Sequence, residues 1–165
     1  MKTLVLGGAR SGKSAVAERL ASRGGSPVTY VATVRRNGDE DLEARIALHR
    51  ERRPASWSTI ECDGDLAGVL TATTGTVLVD SLGPWLAALP GMDADVGALV
   101  VALGERDGDT IIVSEEVGLG VHPQSPLGRE FRDALGTLNQ AIAHACDDVL
   151  LVVAGRVLTL PQDES

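Results

Sequence analysis

Positive charge is scarce in this chain. Its 15 lysines and arginines stand against 23 aspartates and glutamates, giving a net charge of −8 and an isoelectric point near 4.8. No basic patch of the size a nucleic-acid backbone needs is available, which excludes nucleic acid as a partner. Cysteine is rare too: Cys62 and Cys146 are far apart and in no C-x-x-C arrangement. They read as small buried apolar residues in a reducing compartment, rather than as a disulfide or a metal site. No apolar run approaches the length of a membrane span and no signal peptide precedes the first predicted strand, so a cytoplasmic location is expected. Internal repeats, low-complexity tracts and linkers are absent, so residues 1–165 are expected to form one domain. A chain of that size can bury about 70% of the surface its unfolded state exposes.

What is present is concentrated first in residues 1–14, MKTLVLGGARSGKS. Thr3-Leu4-Val5-Leu6 is a short apolar run suited to a buried parallel strand. It opens into Gly7, Gly8, Ala9, Arg10, Ser11, Gly12, Lys13 and Ser14, a full G-x-x-x-x-G-K-S, and a helix-compatible segment follows at once. Strand, loop and helix are the context in which this phosphate-loop motif is believed. Glycines let backbone N–H groups converge on phosphate oxygens, and the helix N-terminus adds positive potential. Lys13 can reach the β- and γ-phosphates, and the Ser14 hydroxyl can ligate Mg²⁺. The motif predicts binding of a nucleoside triphosphate.

Further along, Val16 and Leu20 give the first helix a face to pack on a sheet. Residues 28–33 form a second predicted strand, and residues 39–53 a helix carrying Leu42, Ile46 and His49 on one face. Pro54 stops that helix. Residues 57–61 read as a third strand and Leu66, Val69 and Leu70 as a short helix ended at 73–75. Thr76-Val77-Leu78-Val79-Asp80 is an apolar strand ending in a carboxylate. Residues around Trp85, Leu86 and Leu89 read as a helical or irregular piece broken by Pro84 and Pro90. A helix over 94–105, a strand over 110–114, a stiff Gly/Pro loop and a long amphipathic helix over 127–145 follow. Residues 149–153 and 157–160 close the chain as a hairpin. Alternating strands and helices predict an α/β fold of the P-loop NTPase kind: a mostly parallel central sheet, helices on both faces and a C-terminal hairpin.

Asp80 would emerge at the carboxyl end of its strand, where open α/β sheets bind ligands, and could hold Mg²⁺ opposite Ser14. The alternative is an aspartate that merely caps a turn. Glu115 and Glu116 follow the fifth strand at the same edge. Glu116 is a candidate acid/base or metal-supporting residue, with a solvated loop pair as the competing reading. His49 is a packing histidine or a catalytic one. Six of the fifteen cationic residues cluster around it: Arg35, Arg36, Arg45, Arg50, Arg52 and Arg53. Arginines beside an imidazole suit a polyphosphate, although solvated charged faces are the commoner outcome. His122 and His144 read as structural or surface residues.

Several stretches taken together resemble one family. They are GGARSGKS, YVAT at 30–33, ARIALHRERRPASW at 44–57, TIEC at 59–62, VLVD at 77–80, SEEVGLGVHP at 114–123, GREFRDALGTLNQ at 128–140 and VLLVVAG at 149–155. The resemblance is to the bifunctional adenosylcobinamide kinase / adenosylcobinamide-phosphate guanylyltransferase of cobalamin biosynthesis, over essentially the whole length. It implies two steps on one corrinoid: phosphorylation of adenosylcobinamide by ATP or GTP, then transfer of GMP from GTP through a guanylyl-histidine. It implies that His49 is the histidine that is guanylylated. It also implies that Gly7 to Ser14, Val31, Ala32, Thr33, Arg50, Glu51, Arg52, Arg53, Glu61 and Asp80 form the nucleotide site, with Mg²⁺ at Ser14 and Asp80, and that the protein is a homotrimer. The chain departs from the family pattern at Glu115, where asparagine is frequent, and around Gly83-Pro84-Trp85. With two tryptophans, one tyrosine and one phenylalanine, the sequence does not reveal how a corrinoid is held. Two other readings compete: a different small-metabolite kinase without a covalent histidine, and a nucleotide-sensing interaction module.

Overall fold

The computed structural model describes residues 1–24, 27–33 and 53–162. The predicted helix over 39–53, with His49, Arg50, Glu51 and Arg52, lies outside the described residues except at Arg53.

Seven strands form one sheet in the order β3-β2-β4-β5-β1-β6-β7. They are β1 (Lys2–Gly7), β2 (Val28–Ala32), β3 (Ser58–Glu61), β4 (Thr76–Asp80), β5 (Thr110–Glu115), β6 (Asp148–Val153) and β7 (Arg156–Leu160). All neighbouring pairs are parallel except the last, β6 with β7. The helices are α1 (Lys13–Ala21), α2 (Leu66–Ala72), α3 (Leu82–Ala88), α4 (Val96–Glu105) and α5 (Pro126–His144).

The central strands β1, β4 and β5 are buried along nearly their whole length and apolar at their centres because both their faces are covered. Alternate residues serve opposite layers. Leu4, Val77, Val79 and Ile112 pack with Leu70, Leu86, Leu103, Leu135 and Ile142 from α2 to α5. Val5, Leu78, Ile111 and Val113 pack against Val16, Ala17 and Ala21 of α1. Helices therefore cover both faces, as the sequence predicts.

Local chemistry sets the element boundaries. The helix expected from residue 94 begins at Val96, because the Asp95 carboxylate caps it by accepting the Ala98 N–H at 2.9 Å. Asp65 caps α2 and Ser125 caps α5 in the same way. Pro84 does not break its segment. It is the third residue of α3, and a first-turn N–H has no intrahelical partner to lose. Pro90 does end it, opening a 3₁₀ turn over Pro90–Met92. Ala154 and Gly155, at φ of 50° and 74°, make the two-residue turn of the closing hairpin, with Val153 opposite Arg156.

At the edge away from the phosphate loop, Arg106 is buried, and burial lowers its pKa. Its guanidinium donates to Thr110 Oγ1 and to the carbonyls of Leu70, Thr73 and Gly75. It thereby satisfies carbonyls that the end of α2 leaves open.

Candidate active site

The phosphate loop connects β1 to α1 at the carboxyl edge of the sheet. Its first glycine has no room for a side chain, since a Cβ on Gly7 would lie 2.8 Å from the Val152 carbonyl oxygen and 2.4 Å from Ser11 Oγ. Gly12 adopts φ 94°, a conformation glycine enters without steric cost. The loop is held from outside as well: the Gly155 N–H of the hairpin turn donates to the Ser11 carbonyl at 2.8 Å. Arg10 is exposed with φ 56°, and Ala9 is exposed beside it.

The sheet order places β5 between β1 and β4, so three strand ends converge on the loop. From β4, Asp80 accepts the Ser14 hydroxyl on Oδ1 at 3.4 Å and the Tyr30 hydroxyl on Oδ2 at 3.1 Å. Tyr30 is buried, and burial together with the Asp80 charge pushes its phenol well above its ordinary range, so it remains a donor. Arg53 lies over the Tyr30 ring, 3.5 Å from the centroid, in cation–π geometry. Arg53 also lines an open cleft of about 420 Å³ along α1, with Glu18, Arg19, Arg23 and Trp57.

From β5 comes Glu115. Its Oε1 accepts the Ser81 hydroxyl at 2.8 Å and lies 3.6 Å from Lys13 Nζ. Its Oε2 accepts the Gly83 N–H at 3.0 Å. Lys13 Nζ also donates to the Gly8 carbonyl at 3.4 Å. The end of β5 is pinned by buried Asn139 of α5, which donates to the Glu115 carbonyl at 3.0 Å and accepts the Ser114 hydroxyl at 2.6 Å.

The structure thus brings Gly7 to Ser14, Asp80 and Arg53 to one edge. Thr33 lies beside them, its buried hydroxyl donating to the Ser81 carbonyl at 2.7 Å and accepting the Ser81 N–H at 2.8 Å. Val31 is fully buried in the sheet core, and Ala32 gives its carbonyl to the Cys62 N–H. Glu61 ends β3, exposed and in register with Ala32. Glu116 faces its own loop, where Oε1 accepts the N–H groups of Gly118 and Leu119. His122 contacts Arg132 and His144 the Gln140 carbonyl, both at exposed positions. Tyr30, Asn139 and Gly155 join the site without a signal of their own in the sequence, whereas Glu115 belongs to the carboxylate pair expected at this edge. Tyr30 sits two residues before the end of a strand that flanks β4, a position that signals proximity to Asp80 only once β2 and β4 are known to pair.

Ser14 Oγ and Asp80 Oδ1 fit a small hard cation. Two oxygens in adjacent octahedral positions at about 2.1 Å lie about 3 Å apart, close to the observed spacing. Among the described residues no group of three or more His, Cys, Asp or Glu could hold a metal alone. A metal here would complete its shell with water and substrate phosphate, as Mg²⁺ commonly does.

A phosphate loop on a parallel sheet, with a serine and a strand-end carboxylate in contact, defines a phosphate-loop NTPase fold. Solved structures agree: the flagellar accessory protein FlaH from Methanocaldococcus jannaschii has a TM-score of 0.54 at 16% identity, covering 94% of this chain and 74% of its own. The RadB recombinase has a TM-score of 0.51 at 18% identity, covering 91% and 73%. Sequence narrows the class. The family model described as cobinamide kinase / cobinamide phosphate guanyltransferase matches residues 3–160, and this chain belongs to that family. The bifunctional adenosylcobalamin biosynthesis protein CobP of Pseudomonas aeruginosa is 45% identical, covering 97% of both chains. The corresponding CobU proteins of Salmonella typhimurium and Escherichia coli are 38% and 35% identical, each covering 94% of this chain and 97% of the relative. Among the described residues no helix is long and apolar enough to cross a membrane.

Proposed function

We propose that this chain catalyses both reactions for which its family is described: phosphorylation of adenosylcobinamide, then guanylylation of the phosphate to adenosylcobinamide-GDP. The observation that carries the reading is the family match over residues 3–160, coinciding with a phosphate loop whose Ser14 touches Asp80.

In the first step the aminopropanol hydroxyl of the substrate attacks the γ-phosphorus of ATP or GTP, and the nucleoside diphosphate leaves. Backbone N–H groups of residues 7–14 and the Lys13 ammonium hold the phosphates and take up the charge that develops on them. Mg²⁺ held by Ser14 and Asp80 would supply charge neutralisation between phosphate oxygens. Tyr30 keeps the Asp80 carboxylate turned toward Ser14.

In the second step the neutral imidazole of His49 attacks the α-phosphorus of GTP. The α–β phosphoanhydride bond breaks, pyrophosphate leaves, and a phosphoramidate forms. A phosphate oxygen of the corrinoid then attacks the same phosphorus, making the new anhydride and returning the imidazole. Arg50, Arg52 and Arg53, with Glu51 among them and Glu61 nearby, would form the polar wall around this exchange, and splitting the transfer lowers each barrier. Glu116 is proposed to support the loop at the sheet edge rather than to exchange a proton, given its bonds to Gly118 and Leu119. We further propose that the protein acts as a homotrimer, as the family resemblance implies, and in the cytoplasm, a reducing compartment that suits two buried free cysteines.

The test is a coupled assay with adenosylcobinamide, Mg²⁺ and either nucleotide, products being resolved by chromatography and mass. Successive appearance of the corrinoid phosphate and its GDP derivative supports the reading. Turnover of the corrinoid to neither product would overturn it.

A further inference from the structure

Lys13 is engaged by groups of the protein itself. Its ammonium sits 3.6 Å from Glu115 Oε1 and 3.4 Å from the Gly8 carbonyl, and the side chain is only 13% exposed. Glu115 is itself fixed. Ser81 Oγ and the Gly83 N–H each donate to one of its oxygens, at 2.8 and 3.0 Å. Its seat exists because residue 83 is glycine, where a Cβ would fall 2.3 Å from Oε2. Asn139 holds the Glu115 backbone from the other side. The carboxylate is thus a rigid fixture, whereas Lys13 is a flexible side chain that incoming phosphates must recruit.

We propose that Glu115 is a positioning residue that tethers Lys13, so that nucleotide phosphates compete with its carboxylate for the lysine and bind more weakly than the loop alone would allow. The inference rests on the nucleotide reading above and deepens it. The pair joins the phosphate loop to the first turn of α3, so occupancy of the loop by phosphate frees Glu115 from Lys13 while its bonds to Ser81 and Gly83 persist. A carboxylate near a polyanion lowers affinity by removing one counter-charge, and close ion pairs of partial exposure are worth a few-fold in binding.

Glu115→Gln isolates the charge. Its amide oxygen accepts the Gly83 N–H and its amide nitrogen donates to Ser81 Oγ, so the seat survives while the ion pair is lost. Equilibrium binding of a fluorescent non-hydrolysable GTP analogue, with Mg²⁺ and without corrinoid, is compared for the wild type, Glu115→Gln, Glu115→Ala and each change combined with Lys13→Ala. The expected result is affinity about threefold to tenfold tighter in Glu115→Gln. That gain shrinks to under about twofold when Lys13 is also alanine, because the effect passes through the lysine. If Glu115→Gln does not fold, Glu115→Ala gives the same comparison without the charge. Unchanged or weaker binding by these variants, or a gain that persists without Lys13, overturns the tether alone. A wild type that binds no nucleotide overturns both the tether and the nucleotide reading.

Discussion

Replacing Tyr30 by phenylalanine separates the role of one hydroxyl from that of the ring carrying it. The ring packs among Val5, Leu78 and Val113 and lies under Arg53, and both relationships survive in Tyr30→Phe. What disappears is the donor to Asp80 Oδ2 at 3.1 Å. A hydrogen bond to a charged acceptor contributes about 1.5–3 kcal/mol, and the lower end applies because the carboxylate is partly accessible and retains Ser14. A loss of about 1.5 kcal/mol lowers Tm by roughly 3–6 °C in a chain of this size. The second consequence is functional. Without Tyr30 one of the contacts that turn the carboxylate toward Ser14 is lost, and restoring that orientation draws on metal-binding energy. If half or more of the lost energy is spent there, the Mg²⁺ concentration supporting half-maximal nucleotide binding rises about three- to tenfold. Thermal unfolding and a Mg²⁺ titration of GTP-analogue binding measure the two effects. A lowered Tm with a superimposable titration would refute the argument that Tyr30 orients Asp80. An unchanged Tm would show the hydroxyl bond to be worth nothing.

Other consequences follow from the same geometry. Arg106→Met leaves the Leu70, Thr73 and Gly75 carbonyls without their donor and should cost about 3 kcal/mol in denaturant unfolding, with nucleotide affinity unchanged because the site lies at the opposite edge. Gly7→Ala forces the loop off the Val152 carbonyl; GTP-analogue binding should weaken more than about tenfold, with about 1–3 kcal/mol lost in stability. Burial pushes the Cys146 thiol up to about 12 and raises Cys62 as well. A raised folded pKa means that stability is complete below the unfolded thiol value of about 8.5 and is lost as pH climbs toward 12. Tm should therefore fall across that alkaline window, and Cys146→Ala should flatten the fall; an equally steep fall in the variant would contradict the assignment.

Most of the fold is legible in the residues themselves. Buried strands such as 76–80 and 110–115 announce themselves as short runs rich in β-branched residues that end in a carboxylate, and the phosphate loop announces its own context. The misread boundaries have local causes that a pattern of apolar residues does not carry: a proline harmless in the first turn of α3, and an aspartate that delays α4 to Val96. The site is legible only where a motif spans contiguous residues. Lys13, Ser14 and Asp80 are legible because they belong to such motifs. Tyr30, Glu115 and Gly155 owe their places to pairing between distant segments, β2 with β4, β5 with β1 and the hairpin turn with the loop, and Asn139 owes its place to the packing of α5 on the end of β5. Nothing in a linear spacing encodes those contacts before the sheet order is known.

The proposed covalent route through His49 leaves a chemical trace on the protein. Wild-type protein and His49→Ala should be incubated with Mg²⁺ and GTP labelled at the α-phosphate, then denatured and their masses determined. A guanylyl-histidine intermediate predicts a single GMP adduct on the wild type, labile to acid and stable to base as a phosphoramidate is, and none on His49→Ala. Wild type that binds GTP yet carries no label, or label that persists in His49→Ala, would contradict it.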